Sequence, residues 1–306
     1  MSDQLAWRVR CNAHERADLV QNHRMPRFTP ATPRSRRLGR ELRKLREIKG
    51  LTGEEAAKLV RCSSSRISRI ESGEIKPRSG DVMELLVTYG VSLNEEPATS
   101  LLQQARDLRE DGWWQRLGGR YATYIAYESE AVELKNFEPM LVPGLLQTER
   151  YAREVNTIGR ESDTDTISQR VTARMTRQAV LHRQPAPLRT HAILSEAAVR
   201  TEVGGPEILR EQLDHLVRLS RMPNVTIQVL RFEAGAHLAD SSGFVLHTFE
   251  QDDPPLGYVE TLAGELFLES SRDLARLSAA YDNLRTLAMS PAESVKFIKE
   301  LSKHGA

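Results

Sequence analysis

Between Arg37 and Val91 the chain is cut into short amphipathic runs by capping and stop residues, and this punctuation constrains the fold more than any other feature. Leu38, Leu42, Leu45 and Ile48 recur at spacings of 4, 3 and 3, one face of a helix that Gly50 ends. Thr52 with Glu55 forms the capping-box pattern and opens a second helix, with Ala56, Ala57, Leu59 and Val60 expected inward. Arg61-Cys62 makes a tight connection, and Ser63 caps a third helix in which Ile67 and Ile70 face a core and Gly73 is the stop. After a loop with Pro77, Ser79 is expected to cap a fourth helix with Val82, Leu85, Leu86 and Tyr89 inward. Runs this short bury their apolar stripes only against one another, so the segment predicts a compact helical bundle.

The rest of the chain is mixed. Residues 92–112 run into a helix on Leu101, Leu102, Ala105 and Leu108, and another helix is expected near 113–134. A short strand follows near Glu133–Phe137, then a Pro143-Gly144 turn and a helix capped by Thr148. Ile167, Val171, Met175 and Ala179 form an i, i+4 stripe. LRTHAIL, NVTIQVLRF, GFVLHTF and GYVETL read as strands around a 206–221 helix, and helices 271–288 and 291–303 close the chain. The fold class is therefore multi-domain, an all-α bundle followed by an α+β domain. The expected parts are a flexible N-terminal extension (1–33), the bundle (34–92), a linker helix (93–112), the α+β domain (113–290) and a C-terminal helix (291–306). Residues 1–24 read as an upstream extension or a start-site artefact, and RFTPATPRSRR as an extended basic arm.

Composition matters once it is divided along the chain. The 306 residues carry 43 Lys/Arg and 42 Asp/Glu, net +1. Residues 27–91 alone hold 15 basic against 8 acidic side chains, +7, whereas residues 92–306 sum to −7. A basic module joined to an acidic one suggests a nucleic-acid footprint confined to the first part. Cys11 and Cys62 are the two cysteines, too few for a disulfide framework. No apolar stretch reaches the ~18 residues of a membrane span, and no signal pattern opens the chain. A cytoplasmic, membrane-independent protein is expected.

The major groove of B-DNA admits one helix and shows each base pair's donors and acceptors distinctly. A reading helix must project and be braced by a second helix, with small residues where the two cross. Ala56 and Ala57 meet that need, and Ile67 and Ile70 anchor the third helix from within. The segment EEAAKLVRCSSSRISRIESGEIKPRSGDVMELLVTYGV resembles the Xre/Cro-type helix-turn-helix family over about 55 residues, most specifically at Ser68-Arg69-Ile70-Glu71-Ser72-Gly73 and the basic loop with Pro77. The resemblance implies binding of double-stranded DNA, and a homodimer is expected because one module reads only about one half-site and operators usually mirror protein symmetry. The resemblance also places Ser64, Ser65, Ser68 and Arg69 toward base edges, and Gly53, Arg61, Arg66, Lys76 and Arg78 toward phosphates. Arg34, Arg36 and Arg37 form an expected accessory arm. Arg61 departs from the family pattern, which often has glycine there because a left-handed backbone is cheap only for glycine. Glu71 is expected to pair within the bundle. The alternative is a helical module that binds protein and not DNA.

FEPMLVPGLLQTERYAREV, RVTARMTRQAVL, NVTIQVLRF, GFVLHTF and YVETLAGELFLES resemble the C-terminal domain of unknown function behind this helix-turn-helix in many actinomycete antitoxin-like regulators, over roughly 105–290. Its most specific piece is Pro143-Gly144-Leu145-Leu146-Gln147-Thr148 with Tyr151-Ala152. The resemblance implies a small partner protein encoded nearby and no settled chemistry. The residues themselves offer no H-E-x-x-H, no Cys/His cluster, no P-loop Lys-Ser/Thr and no G-x-S-x-G elbow, so neither metal, cofactor nor catalysis is expected. Asp252-Asp253-Pro254-Pro255 reads as a solvated hairpin loop. Two non-catalytic readings stay open. One is a protein interface using Trp113-Trp114 and the stripe Leu274, Leu277, Tyr281, Leu284, Ala288. The other is an effector pocket lined by Glu128, Glu133, Glu138 and Glu260.

Overall fold

The computed structural model describes residues 31–108, 119–158, 163–239, 242–250, 253–261 and 264–304. The bundle holds α1 (Pro33–Ile48), α2 (Gly53–Leu59), α3 (Ser64–Glu71), α4 (Ser79–Thr88) and α5 (Ala98–Asp107). Leu38, Leu42, Ala56, Ile67, Ile70, Val82 and Leu86 form its dry centre, and Ala98, Leu101, Leu102, Ala105 and Leu108 belong to the same cluster. The segment expected to link two domains thus also closes the first core.

Three local expectations are corrected by packing. The basic arm is not extended at its end: Pro33 occupies the first helical position, and the Thr32 hydroxyl accepts the Ser35 amide at 3.3 Å. Arg34, Arg36 and Arg37 are therefore helical residues. Ile48 and Leu59 are 82% and 59% exposed, and each is the last residue of its helix. Ser79 is the first residue of α4 and not its cap; Arg78 is the N-cap, and its amide donates to the Asp81 carboxylate at 2.8 Å.

The second part is built on a six-stranded sheet ordered β3 (Val225–Leu230), β2 (Arg189–Ser195), β1 (Glu133–Glu138), β4 (Phe244–Thr248), β5 (Leu256–Thr261), β6 (Gly264–Leu268). The first three strands are parallel and the other pairings antiparallel. β6 was not foreseen as a strand; its pairing partner β5 decides it. Between and after the strands run α6 (Gly119–Glu130), α7 (Glu149–Thr157), α8 (Thr164–Arg177), α9 (Glu196–Arg200), α10 (Pro206–Leu219), α11 (Ser271–Leu287) and α12 (Pro291–His304).

Alternation along β1 divides its side chains between two cores. Leu134 joins the larger one with Tyr127, Leu146, Tyr151, Leu213 and Ile298, and Phe137 joins the smaller one with Ile193, Phe244, Tyr281 and Leu284. The stripe on α11 is used here: Tyr281 and Leu284 are buried, while Leu274, Leu277 and Ala288 pack at the edge. Burial in the protein's own core displaces the interface reading of that stripe. Trp113-Trp114 and residues 1–30 lie outside the described residues. No described helix is long and apolar enough to cross a membrane.

Candidate nucleic-acid interface

Helix α3 is positioned from beneath by contacts that leave no slack. Ile67 and Ile70 are each 2% exposed. A Cβ on Gly39 would come within 2.4 Å of the Glu71 carbonyl, so α1 rests directly on the end of α3. Gly73, at φ +80, follows in the left-handed conformation, packed against the backbone of Arg36. Arg46 locks the same end from the side: its Nε and Nη2 donate to Glu71 at 2.7 and 2.9 Å, and its Nη1 to the Leu51 carbonyl at 2.7 Å. The hydrogen bonds to Glu71 raise the Arg46 pKa against the opposing effect of burial. Glu71 is thus committed to the bundle, as its place in the motif implies.

The turn between α2 and α3 runs through Arg61 at φ 51, the one non-glycine residue with positive φ among the described residues. Such a conformation costs a non-glycine residue on the order of 1 kcal/mol. The next residues recover it. The Cys62 amide returns to Ala57 O at 2.9 Å, and the Ser63 hydroxyl accepts the Arg66 amide at 3.2 Å.

The opposite face of α3 is open. Ser64, Ser65, Ser68 and Arg69 are exposed, and the three serines border, with Thr52, Gly53 and Glu54, a concave surface of about 550 Å³. The expected readers and Gly53 therefore share one region, although Gly53 is half-buried. Glu54 also lies there, a negative charge beside any phosphate approaching Gly53. Arg61, Arg66, Lys76 and Arg78 are exposed. Arg66 pairs with Asp81 at 3.1 Å and Arg69 with Glu74 at 3.5 Å. Exposed pairs of this kind contribute at most about 1 kcal/mol, so either cation can exchange its carboxylate for a nucleic-acid acceptor at low cost.

The remaining cations of the bundle are placed differently. Arg37 and Arg40 both pair with the Asp253 carboxylate, whose side chain is 1% exposed. Arg36 pairs with Glu269. The Arg34 amide donates to Glu130 at 2.9 Å, so a carboxylate sits at the positive end of the α1 dipole, and the Tyr127 hydroxyl donates to Ala31 O at 2.9 Å. Burial raises the Glu130 carboxyl to about 7, with Arg34, Arg37 and Lys76 pulling it down. The expected accessory arm is thus corrected: Arg34, Arg36 and Arg37 face carboxylates of the α+β domain. Asp253 is corrected with it, from a solvated loop residue to a buried acceptor. The one signal of this clamp in the sequence was the opposite charge of the two parts.

The glutamates considered for an effector pocket separate as well. Glu128 accepts Arg177 Nε and Nη2, both at 2.7 Å, in an ion pair whose side chains are 1% and 5% exposed. Burial and the neighbouring Glu260 raise Glu138 to about 8. Glu128 lines a cavity of about 360 Å³ between α6 and the end of α8. No group of three or more His, Cys, Asp or Glu among the described residues has metal-binding geometry.

A projecting, internally braced helix preceded by a second helix is the helix-turn-helix arrangement, and residues 37–98 match the family model described as a helix-turn-helix domain. This supports a DNA-binding regulator. Residues 121–300 match the model described as domain of unknown function DUF5753, and over this larger part the chain belongs to that family. Among curated proteins, none matches the chain.

Proposed function

We propose that this protein is a cytoplasmic, sequence-specific transcriptional regulator that reads the major groove with α3. The observation that carries the reading is the exposed row Ser64, Ser65, Ser68 and Arg69 on a helix held rigidly at Gly39, Gly73 and Arg46. Arg69 donates in bidentate fashion to a guanine edge, and the serines read neighbouring bases. Arg61, Arg66, Lys76 and Arg78 hold phosphates, with Gly53 at the rim of the concave surface. One such module covers about one half-site, so the protein acts as a homodimer on paired half-sites. The α+β domain regulates and is not catalytic.

The test begins with duplexes selected from a random pool and titrated by fluorescence anisotropy. Four phosphate contacts predict roughly a hundredfold weaker binding at 200 mM than at 50 mM salt. Ser65→Ala with Arg69→Ala should abolish preference for the selected duplex while the melting temperature stays within about 1 °C. Equal preference in the double variant would sink the assignment of α3.

For the α+β domain, an antitoxin-like role with a small partner protein is supported by Met140, Phe232 and Leu238. These are 56%, 62% and 68% exposed at the end of the sheet where β1 and β3 finish. Co-purification of one small protein, lost in Phe232→Asp with Leu238→Asp, is the expected result. The cavity between α6 and α8 supports a second reading, control by a small-molecule effector.

A further inference from the structure

The cavity of about 360 Å³ and the DNA-binding module are held by the same turn of α6. On one side of that turn, Ile125 and Glu128 line the cavity, facing Thr176, Arg177, Ala179 and Val180. On the other side, Tyr127 donates to Ala31 O and Glu130 accepts the Arg34 amide, both at the start of α1. The end of this turn is fastened too: Arg183 Nη1 and Nη2 donate to Ser129 O and Ala131 O at 2.6 and 3.1 Å. Residues 127–130 are consecutive in one helix, so displacement of Glu128 is passed to Tyr127 and Glu130 with no flexible joint between.

The chemistry of the walls selects an occupant. Ile125, Ala179 and Val180 supply apolar surface. The charges of Glu128 and Arg177 cancel within a buried pair, and Arg177 is further held by the Tyr121 hydroxyl at 2.8 Å and by the faces of Tyr121 and Tyr124. Arg183 also lines the cavity, and its guanidinium donates to the Ala186, Ser129 and Ala131 carbonyls, so a cation would meet a like charge and an anion would have to draw Arg183 off those carbonyls. Glu128 accepts two hydrogen bonds from Arg177 and one from the Tyr124 hydroxyl, and its carboxylate keeps acceptor capacity for one further donor. A void of ~150 Å³ holds benzene, so this one is suited to about two fused rings.

We propose that the cavity between α6 and α8 is an effector site for a neutral, mainly apolar small molecule with one hydroxyl group, and that its occupancy is transmitted by residues 127–130 to α1. This deepens the effector reading of the α+β domain. A ligand shifts the DNA-binding state only through different affinities for the two states, and by linkage DNA must change the ligand's affinity by the same factor.

The probe is 2-naphthol, titrated calorimetrically into the full chain without DNA. Saturable one-site binding is expected, weakened at least tenfold in Ala179→Phe and in Thr176→Phe, two solvent-facing positions where a ring fills the cavity and leaves the core intact. Hydrogen exchange of the amides at 34–38 should change at least threefold on saturation. That change should vanish in Tyr127→Phe with Glu130→Ala while the probe still binds. For a duplex the protein selects, affinity should shift by at least threefold with saturating probe.

No binding at millimolar probe, or binding indifferent to both cavity-filling variants, overturns the site. Probe binding with unchanged exchange at 34–38 overturns the transmission. Loss of self-association in Ala179→Phe, with no probe binding to the parent chain, would assign the cavity to a second copy and overturn the proposal. Failure to bind any duplex would overturn the regulator reading alone, because calorimetry and exchange are read without DNA.

Discussion

The bundle carries two sets of arginines of the same chemistry and opposite placement. Arg34, Arg36, Arg37 and Arg40 on α1 face carboxylates contributed by the α+β domain, one of them, Asp253, almost wholly removed from water. Arg61, Arg66 and Arg69, with Lys76 and Arg78, stand exposed around α3, and their ion pairs are local and solvated. Counting charge treats the two sets alike. Their environments do not: a carboxylate inside a protein holds its partners tightly because losing them strands a buried charge, whereas an exposed pair exchanges freely with solvent and ligand. Four of the fifteen basic residues between 27 and 91 therefore join two domains, and five more stand around α3 where a polyanion can reach them.

The largest effect should come from Asp253→Ala, which leaves Arg37 and Arg40 without their shared acceptor. A loss of about 2–3 kcal/mol in urea denaturation is expected, with DNA affinity of the folded fraction changed less than twofold. Tighter binding with a steeper salt dependence would break the comparison, because it would make α1 a DNA surface that Asp253 masks.

A pH series sharpens the joining side. Burial raises Glu130 from an ordinary 4.5 to about 7, so the folded state takes up a proton between those values. Its contribution to stability is complete below about 4.5 and is lost as the pH rises through 7, at up to about 1.4 kcal/mol per pH unit. Glu130→Gln should flatten this part of the stability curve. An unchanged slope between pH 5 and 7 would place the proton elsewhere.

On the exposed side, Arg61→Gly should remove the backbone cost of φ 51 and stabilise the protein by about 0.5–1 kcal/mol. If Arg61 also holds a phosphate, the more stable variant binds DNA more weakly; improvement in both would leave Arg61 with no role at the interface. The smallest effect is assigned to Lys76→Ala. It should weaken binding a few-fold for every duplex alike and lower the salt slope by about 1. Loss confined to one sequence would make Lys76 a base reader.

Much of the bundle was legible in the sequence because local rules act over three or four residues. Thr52 with Glu55, Ser63, and the glycines at 50 and 73 mark helix ends wherever they occur, and the Ile67–Ile70 spacing names the buried face of α3 without reference to anything distant. Arg61 was singled out by the resemblance, since the helix-turn-helix pattern often has glycine at that position. Where a helix face ends was less legible: Ile48 and Leu59 satisfy the periodicity, yet as the last residues of α1 and α2 they stand exposed. The strands were readable as extended segments, but β6 depends on pairing with β5, which a short run such as GELFL does not announce.

What the sequence determined alone is the helix-turn-helix itself, down to which side of α3 is apolar and which is left to solvent, because caps, stops and periodicity act within the chain's own near neighbourhood. Tertiary structure decided which charges are free. Arg37 and Asp253 lie 216 residues apart, and neither residue's surroundings in the chain distinguish an arginine bound for DNA from one bound for a buried carboxylate. Burial sets the strength of such a pair, and burial is a property of the folded whole. The same holds for residues 127–130, whose two faces acquire meaning only when α8 packs on one side and α1 on the other.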